Sequence, residues 1–197
     1  MENSSTGKKK FWCFSIVNLL LALADGVLTF IATPDLALEA NPLVAVLGFG
    51  WTALFIANTI AITIYTYLVY YTFLRYKRTL YNVSGFKQYV SMLSFNRPDK
   101  FIWTIYKFPK NKAALLACAG YMCAFPLPAA RLLLVLEWTA HLTNSPFFRW
   151  YSQGIRPLVP LGRPDVWLAA LLAILLGVYW LYKEYKINQK ALADMGN

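Results

Sequence analysis

The stretch NLLLALADGVLTF, residues 18–30, sets one acid in the middle of an apolar run. Two readings compete. Ala22-Leu23-Ala24 ahead of Asp25 has the small-residue pattern of a signal-peptidase site, with Lys8, Lys9 and Lys10 as its charged region. Alternatively, the run continues and Asp25 is an acid inside a membrane helix. A secretory apolar core is about 7–15 residues long. This run covers residues 11–32, and residues 26–32 carry it past the cut. A helix of roughly 20 residues, rising about 1.5 Å at each, crosses the hydrocarbon of a bilayer. Asn18, Ala22, Asp25 and Thr29 also share one helical face, a polar seam for which a cleaved leader has no use. The sequence therefore favours the uncleaved helix. Cleavage after Ala24 would leave the orientation of the rest unchanged.

The remainder of the chain belongs to the same class. Of its 197 residues, 58% are hydrophobic and only 14% are charged, against about 25% charged in soluble domains. Apolar runs at 11–32, 51–74, 113–142 and 166–182 predict an all-α integral membrane protein with about four transmembrane helices, a single domain over 1–197. The apolar stretch 43–74 exceeds one span, and Gly48 and Gly50 put its start at the interface, before Trp51. Pro126 and Pro128 predict a kink or break in the third span. Cys13, Cys118 and Cys123 lie in apolar runs without CxxC spacing, which argues against a disulfide framework or a zinc site built on them.

The net charge of +10 raises nucleic acid as a partner, but the distribution argues against it. Nine of the 19 basic residues fall within 75–112, between apolar runs. That is the composition of a cytoplasmic loop, and no nucleic-acid motif accompanies it. Phe86, Tyr89, Trp103, Tyr106 and Phe108 among those charges predict a stretch lying on the inner leaflet, partly as amphipathic helix. Its plainer role is a topology anchor. The amino terminus, this loop and the carboxyl tail hold most of the lysines, so both termini are expected inside and the protein in the plasma membrane. Its partners are then the bilayer itself and a membrane protein or a second copy of the chain.

Counted along the helix rise from the inner anchors, Asp25 lies roughly 20 Å above the inner face, and Asn58 and Arg131 roughly 25 Å. An unpaired charge at such depth costs several kcal/mol. Pairing Asp25 with Arg131, with Asn58 completing the hydrogen bonds, would remove much of that penalty. Farther out stand Glu39 and Asn41 on the first outer loop. Glu137 and His141, four residues apart, share a face of the third span. Carboxylates and imidazole around an open position suit a divalent metal, with Asp25, Glu39 and His141 as ligands. Asp25, Glu39, Glu137 and His141 equally suit acid–base catalysis, and Arg131, Asn41 and Asn58 suit binding of an anion or substrate. The bland alternatives are an interfacial His141 and an ion-paired Asp25 and Arg131. Glu-x3-His is not the HExxH of metalloproteases, and no P-loop, GxGxxG or GxSxG is present.

Asp25-x3-Thr29 followed by Glu39-x-Asn41-Pro42 resembles a group of small prokaryotic polytopic membrane proteins known as a domain of unknown function. The resemblance covers residues 14–75. It implies a polytopic membrane protein with Asp25, Thr29, Glu39, Asn41 and Pro42 in one site, and it implies no activity. The motif also has a physical reading. Pro42 fits the first turn of the second helix and Asn41 its N-cap, while Glu39 folds back toward Thr29 and Asp25 or pairs with an outer-loop arginine. Three functions follow as expectations. The first is a structural or accessory protein whose polar cluster holds the bundle and binds a partner or lipid. The second is an acid–base or metal-dependent enzyme acting on a lipid-linked or peptide substrate. The third is an oligomeric transporter of an ion or solute.

Overall fold

The computed structural model describes residues 4–39 and 42–196, and all its regular structure is helical. In chain order the α-helices are α1 (Ser4–Ala32), α2 (Pro42–Ala45), α3 (Trp51–Tyr70), α4 (Phe86–Phe95), α5 (Trp103–Tyr106), α6 (Lys112–Ala124), α7 (Pro126–Leu142), α8 (Pro146–Trp150) and α9 (Pro164–Gly196). Four helical stretches are long and apolar enough to cross a membrane: α1, α3 with the π-helical turn Tyr71–Arg75, α6 with α7, and α9. Their outward faces carry Leu20, Val27, Ile60, Ile64, Leu171 and Ile174, all exposed. Hydrocarbon, not water, suits such faces.

Helix α1 packs against α7 and α3, α3 packs against α6, and α9 closes on both α6 and α7. Gly120 makes the α3–α6 contact possible. A Cβ at this position would overlap the Leu68 carbonyl and the Thr72 hydroxyl of α3. In the space so left, the Thr72 hydroxyl reaches the carbonyls of Ala117 and Leu68, each at 2.9 Å. Small residues that let backbones approach are the usual means of helix association in lipid.

The third span is interrupted at Phe125, with Pro126 and Pro128 in the turn that follows. Proline has no N–H, so Pro128 cannot donate to the carbonyl of Ala124. The hydroxyl of Tyr65 on α3 donates to that carbonyl instead, at 2.8 Å. Tyr65 is buried, with 2% of its surface exposed, and its bond supplies the donor that the proline withholds.

One end of the bundle is aromatic and basic. Tyr81, Tyr89, Val90, Leu93, Ala114, Ala117 and Trp180 form its core. Within residues 75–112, helix α4 buries Tyr89, Val90, Leu93 and Phe95 and packs against α6 and α9. Helix α9 runs on past Lys183 and Lys186 to Gly196. Those lysines lie over the rings of Tyr121 and Tyr182, and their long stems let the charge reach water while the helix goes on. The extension has a task. Asn188 clamps the backbone of Tyr81, accepting from its N–H at 2.8 Å and donating to its carbonyl at 2.9 Å. Gln189 donates to the carbonyl of Val83, and Arg78 pairs with the buried Glu184 at 2.7 Å. Burial pushes the phenols of Tyr76 and Tyr89 up, with the charge of Glu184 adding to it.

At the opposite end a tight turn follows α1. The Asp35 carboxylate accepts from the Ala37 N–H and the Thr33 hydroxyl, and Leu36 takes a left-handed conformation at φ 60°. Those two bonds, the Ala37 N–H first, hold the Asp35 carboxyl below its usual range. The Trp51 indole donates to the carbonyl of Pro34 at 2.8 Å, tying the start of α3 to this turn. Pro42 does not stand in the first turn of the long helix α3, as the reading of its motif expected. It leads the separate helix α2, and α3 begins only after Gly48, whose φ of +67° turns the chain.

Candidate functional site

Helix α3 packs on α1 and α6 but stands off α7. The space so opened, bounded by α1, α3, α7 and α9, is a cavity of about 950 Å3. Small-molecule sites occupy roughly 300–1,000 Å3, so this one has room for a ligand of drug size. Leu54, Ile62, Leu134, Ala169 and Ala173 are among its apolar walls. The seam of α1 forms its polar side: Asn18, Ala22, Asp25 and Thr29 all line it, as their spacing predicts. From α3 comes Asn58, from α7 come Arg131, Glu137 and His141, and from the turn after α1 comes Glu39. Six of the seven residues singled out from sequence thus meet in one space, and the seventh, Asn41, lies outside the described residues.

Arg131 donates through Nη2 to Oδ1 of Asn58 at 3.2 Å, which bridges the gap between α7 and α3. Their equal depth is as expected. The direct pair of Arg131 with Asp25 is not formed: among the described residues no hydrogen bond or ion pair reaches the Asp25 carboxylate. Arg131 is nevertheless the strongest opposite charge acting on Asp25, while Glu39 acts on it as a like charge. Both side chains line the cavity, where Arg131 reaches across to Asn58 on α3 rather than to Asp25 on α1. A guanidinium has five N–H donors, so most of those on Arg131 make no hydrogen bond among the described residues.

Four further charges of the cavity form two pairs. Glu137 binds Arg156 at 3.0 Å, and Arg163 holds Asp165 through two hydrogen bonds of 3.0 and 2.8 Å. Those bonds raise the Arg163 pKa. Burial, and then the charge of Glu137, push the Tyr151 phenol up to about 12, so it remains a neutral donor beside that carboxylate. The imidazole of His141 stands edge-on to Phe148, ring centres 4.6 Å apart, with Trp138 at 6.0 Å.

This distribution does not assemble the expected metal set of Asp25, Glu39 and His141. Among the described residues, no three of His, Cys, Asp or Glu stand close enough together to hold a metal ion. The three come from α1, the following turn and the far end of α7, around the rim of a wide cavity. His141 is engaged by aromatic rings and Glu137 by arginine, whereas Asp25 has no direct partner among the described residues.

Three further residues of this site are not among the candidates the sequence singles out. Arg156, Arg163 and Asp165 all line it, and Asp165 is buried. Arg163-Pro164-Asp165 carries a readable signal, an acid in the first turn of a helix opened by proline. Asn18 was noted only as part of the seam. It is 2% exposed, and its Oδ1 has no hydrogen-bond partner among the described residues. Comparison of the chain with protein-family models, curated proteins and solved structures finds no match.

Proposed function

We propose that this is a small four-span membrane protein of accessory type that binds an amphipathic ligand, a lipid or lipid-linked molecule, between its helices. The observation that carries the reading is the cavity of about 950 Å3 that receives Asp25 and Arg131 without a direct ion pair between them. Two such charges at membrane depth cost several kcal/mol unless something polar meets them. A ligand head supplies it: an anionic group against Arg131, and hydrogen-bond donors against Asp25 and the unpartnered Asn18 oxygen. The apolar walls accommodate the attached chain. Asp25, Thr29 and Glu39, three residues of the motif that resembles a prokaryotic membrane family, line this same space.

In this reading both termini are cytoplasmic and the cavity lies toward the outer side of the plasma membrane. All basic residues except Arg131, Arg149, Arg156 and Arg163 belong to the amino terminus, the 75–112 segment or the carboxyl tail, in accord with the positive-inside rule. The test is mass spectrometry of the intact protein released from detergent, with extraction of what it retains. Wild type should carry a near-stoichiometric amphipathic ligand, and Arg131→Gln should lose most of it while keeping its fold. Wild type without ligand, or equal retention in the variant, would end the reading.

A second reading, an acid–base enzyme at the same place, rests on Asp25 alone, since Glu137 is ion-paired and His141 is packed between rings. It requires that Asp25→Asn hold the ligand and leave it unconverted, where wild type changes it chemically.

A further inference from the structure

Residues 96–111 leave the inner end of the bundle as a pinned excursion. Asn96, left-handed at φ 57°, ends α4 and turns the chain outward. The hydroxyl of Ser91, fully buried, donates to the Arg97 carbonyl and accepts from the Lys100 N–H at 2.9 Å. The Ser94 carbonyl takes the N–H of Lys110 at 2.8 Å, closing the base. Trp103 stands edge-on to the buried Phe95, ring centres 5.7 Å apart. On this frame Ile102, Tyr106 and Phe108 project outward, 68%, 63% and 79% exposed.

Around them stand Arg97, Lys100, Lys107 and Lys110, against one acid, Asp99, which pairs with Lys100 at 2.8 Å. The Lys107 and Lys100 ammonium groups both lie over the Trp103 ring, at 3.8 and 5.0 Å from its centre. The excursion ends where the third span starts, at Lys112. A chain extends at most about 3.6 Å per residue, so Phe108 lies within roughly 14 Å of the first residue of that span. Phe108 is therefore held close to the end of that span, and Ile102 and Tyr106 are exposed on the same pinned segment.

We infer that residues 97–110 form a binding site for anionic phospholipid on the leaflet they face, with Ile102, Tyr106 and Phe108 entering the interface and Lys107 and Lys110 meeting the phosphates. Charge complementarity selects that occupant. Apolar tips alone would enter any bilayer, whereas four cations against one acid favour a negative surface. The surface is separate from the cavity between the spans and independent of what fills it.

The test is amide hydrogen exchange on the full chain in nanodiscs of phosphatidylcholine, with and without phosphatidylglycerol. Exchange across residues 101–108 should slow on adding phosphatidylglycerol. The doubly substituted K107Q/K110Q protein should lose that response, by about fivefold for each lysine removed, and K107R/K110R should keep it. Equal exchange in both lipids would overturn the site, as would a response that survives K107Q/K110Q. Slowing by an added soluble protein extract, with no lipid dependence, would assign the surface to a protein partner and overturn it too.

Discussion

Replacing Tyr65 by phenylalanine removes one oxygen and leaves the ring in place, so its effect isolates the bond to the Ala124 carbonyl. That bond is 2.8 Å long and buried. The same hydroxyl lies 3.3 Å from the Phe14 carbonyl, a weaker alternative for its single proton. A buried carbonyl left unsatisfied costs about 1–3 kcal/mol in soluble proteins. Polar contacts between membrane helices average about 0.6 kcal/mol and reach about 1.7. Tyr65 sits at the upper end, because Pro128 leaves the carbonyl no helical donor, and Tyr65→Phe should destabilise by about 1.5 kcal/mol. The cause can be separated from the size. Pro128→Ala restores the N–H that donates to Ala124, so in that background Tyr65→Phe should cost about 0.5 kcal/mol, a coupling of about 1 kcal/mol. Reversible unfolding in bicelles by steric trapping, run on the four proteins of the cycle, measures it. Additive effects, within about 0.5 kcal/mol, would refute the claim that the tyrosine replaces the donor missing from proline.

Gly120→Ala puts a methyl group against the Leu68 carbonyl, which is backbone and cannot rotate away. It should destabilise by about 3 kcal/mol, the upper range for overpacking, in the same unfolding assay. Asn188→Leu strips both partners from the backbone of Tyr81. A loss of about 2–4 kcal/mol is expected, with hydrogen-exchange protection falling first around residues 81–83. Asp35, whose folded pKa is depressed, contributes stability above the ordinary carboxylate pKa and loses it as the pH falls through the folded value. Carboxyl NMR should show Asp35 titrating below the usual range in wild type and moving back toward it in Thr33→Val.

Much of the bundle was legible because hydrocarbon imposes long apolar runs, and the seam of Asn18, Asp25 and Thr29 follows from helical periodicity alone. Depth was legible too, and it matched Arg131 with Asn58 across two helices. Depth is only one coordinate, however. Whether Arg131 turns to Asp25 on the packed neighbour α1 or across the cavity to Asn58 on α3 depends on lateral placement, which spacing along one helix does not carry. The aromatic module around Tyr81 was hidden for a related reason. Asn188 and Gln189 lie in an ordinary polar stretch, and their role depends on backbone groups of Tyr81 and Val83 more than a hundred residues away. Nor does the spacing of Glu137 and His141 foretell that one meets an arginine and the other a phenylalanine.

The clamp of Asn188 on Tyr81 also sets an order on biosynthesis. The two residues are 107 positions apart. A ribosome adding about 5–20 residues per second leaves the main chain of Tyr81 waiting roughly 5–20 s for its partner. During that interval the first two helices can already be in the bilayer, while the segment after them has aromatic side chains and peptide groups unmet. Any factor that shields nascent loops has that window in which to act, and the arrival of Asn188 closes it.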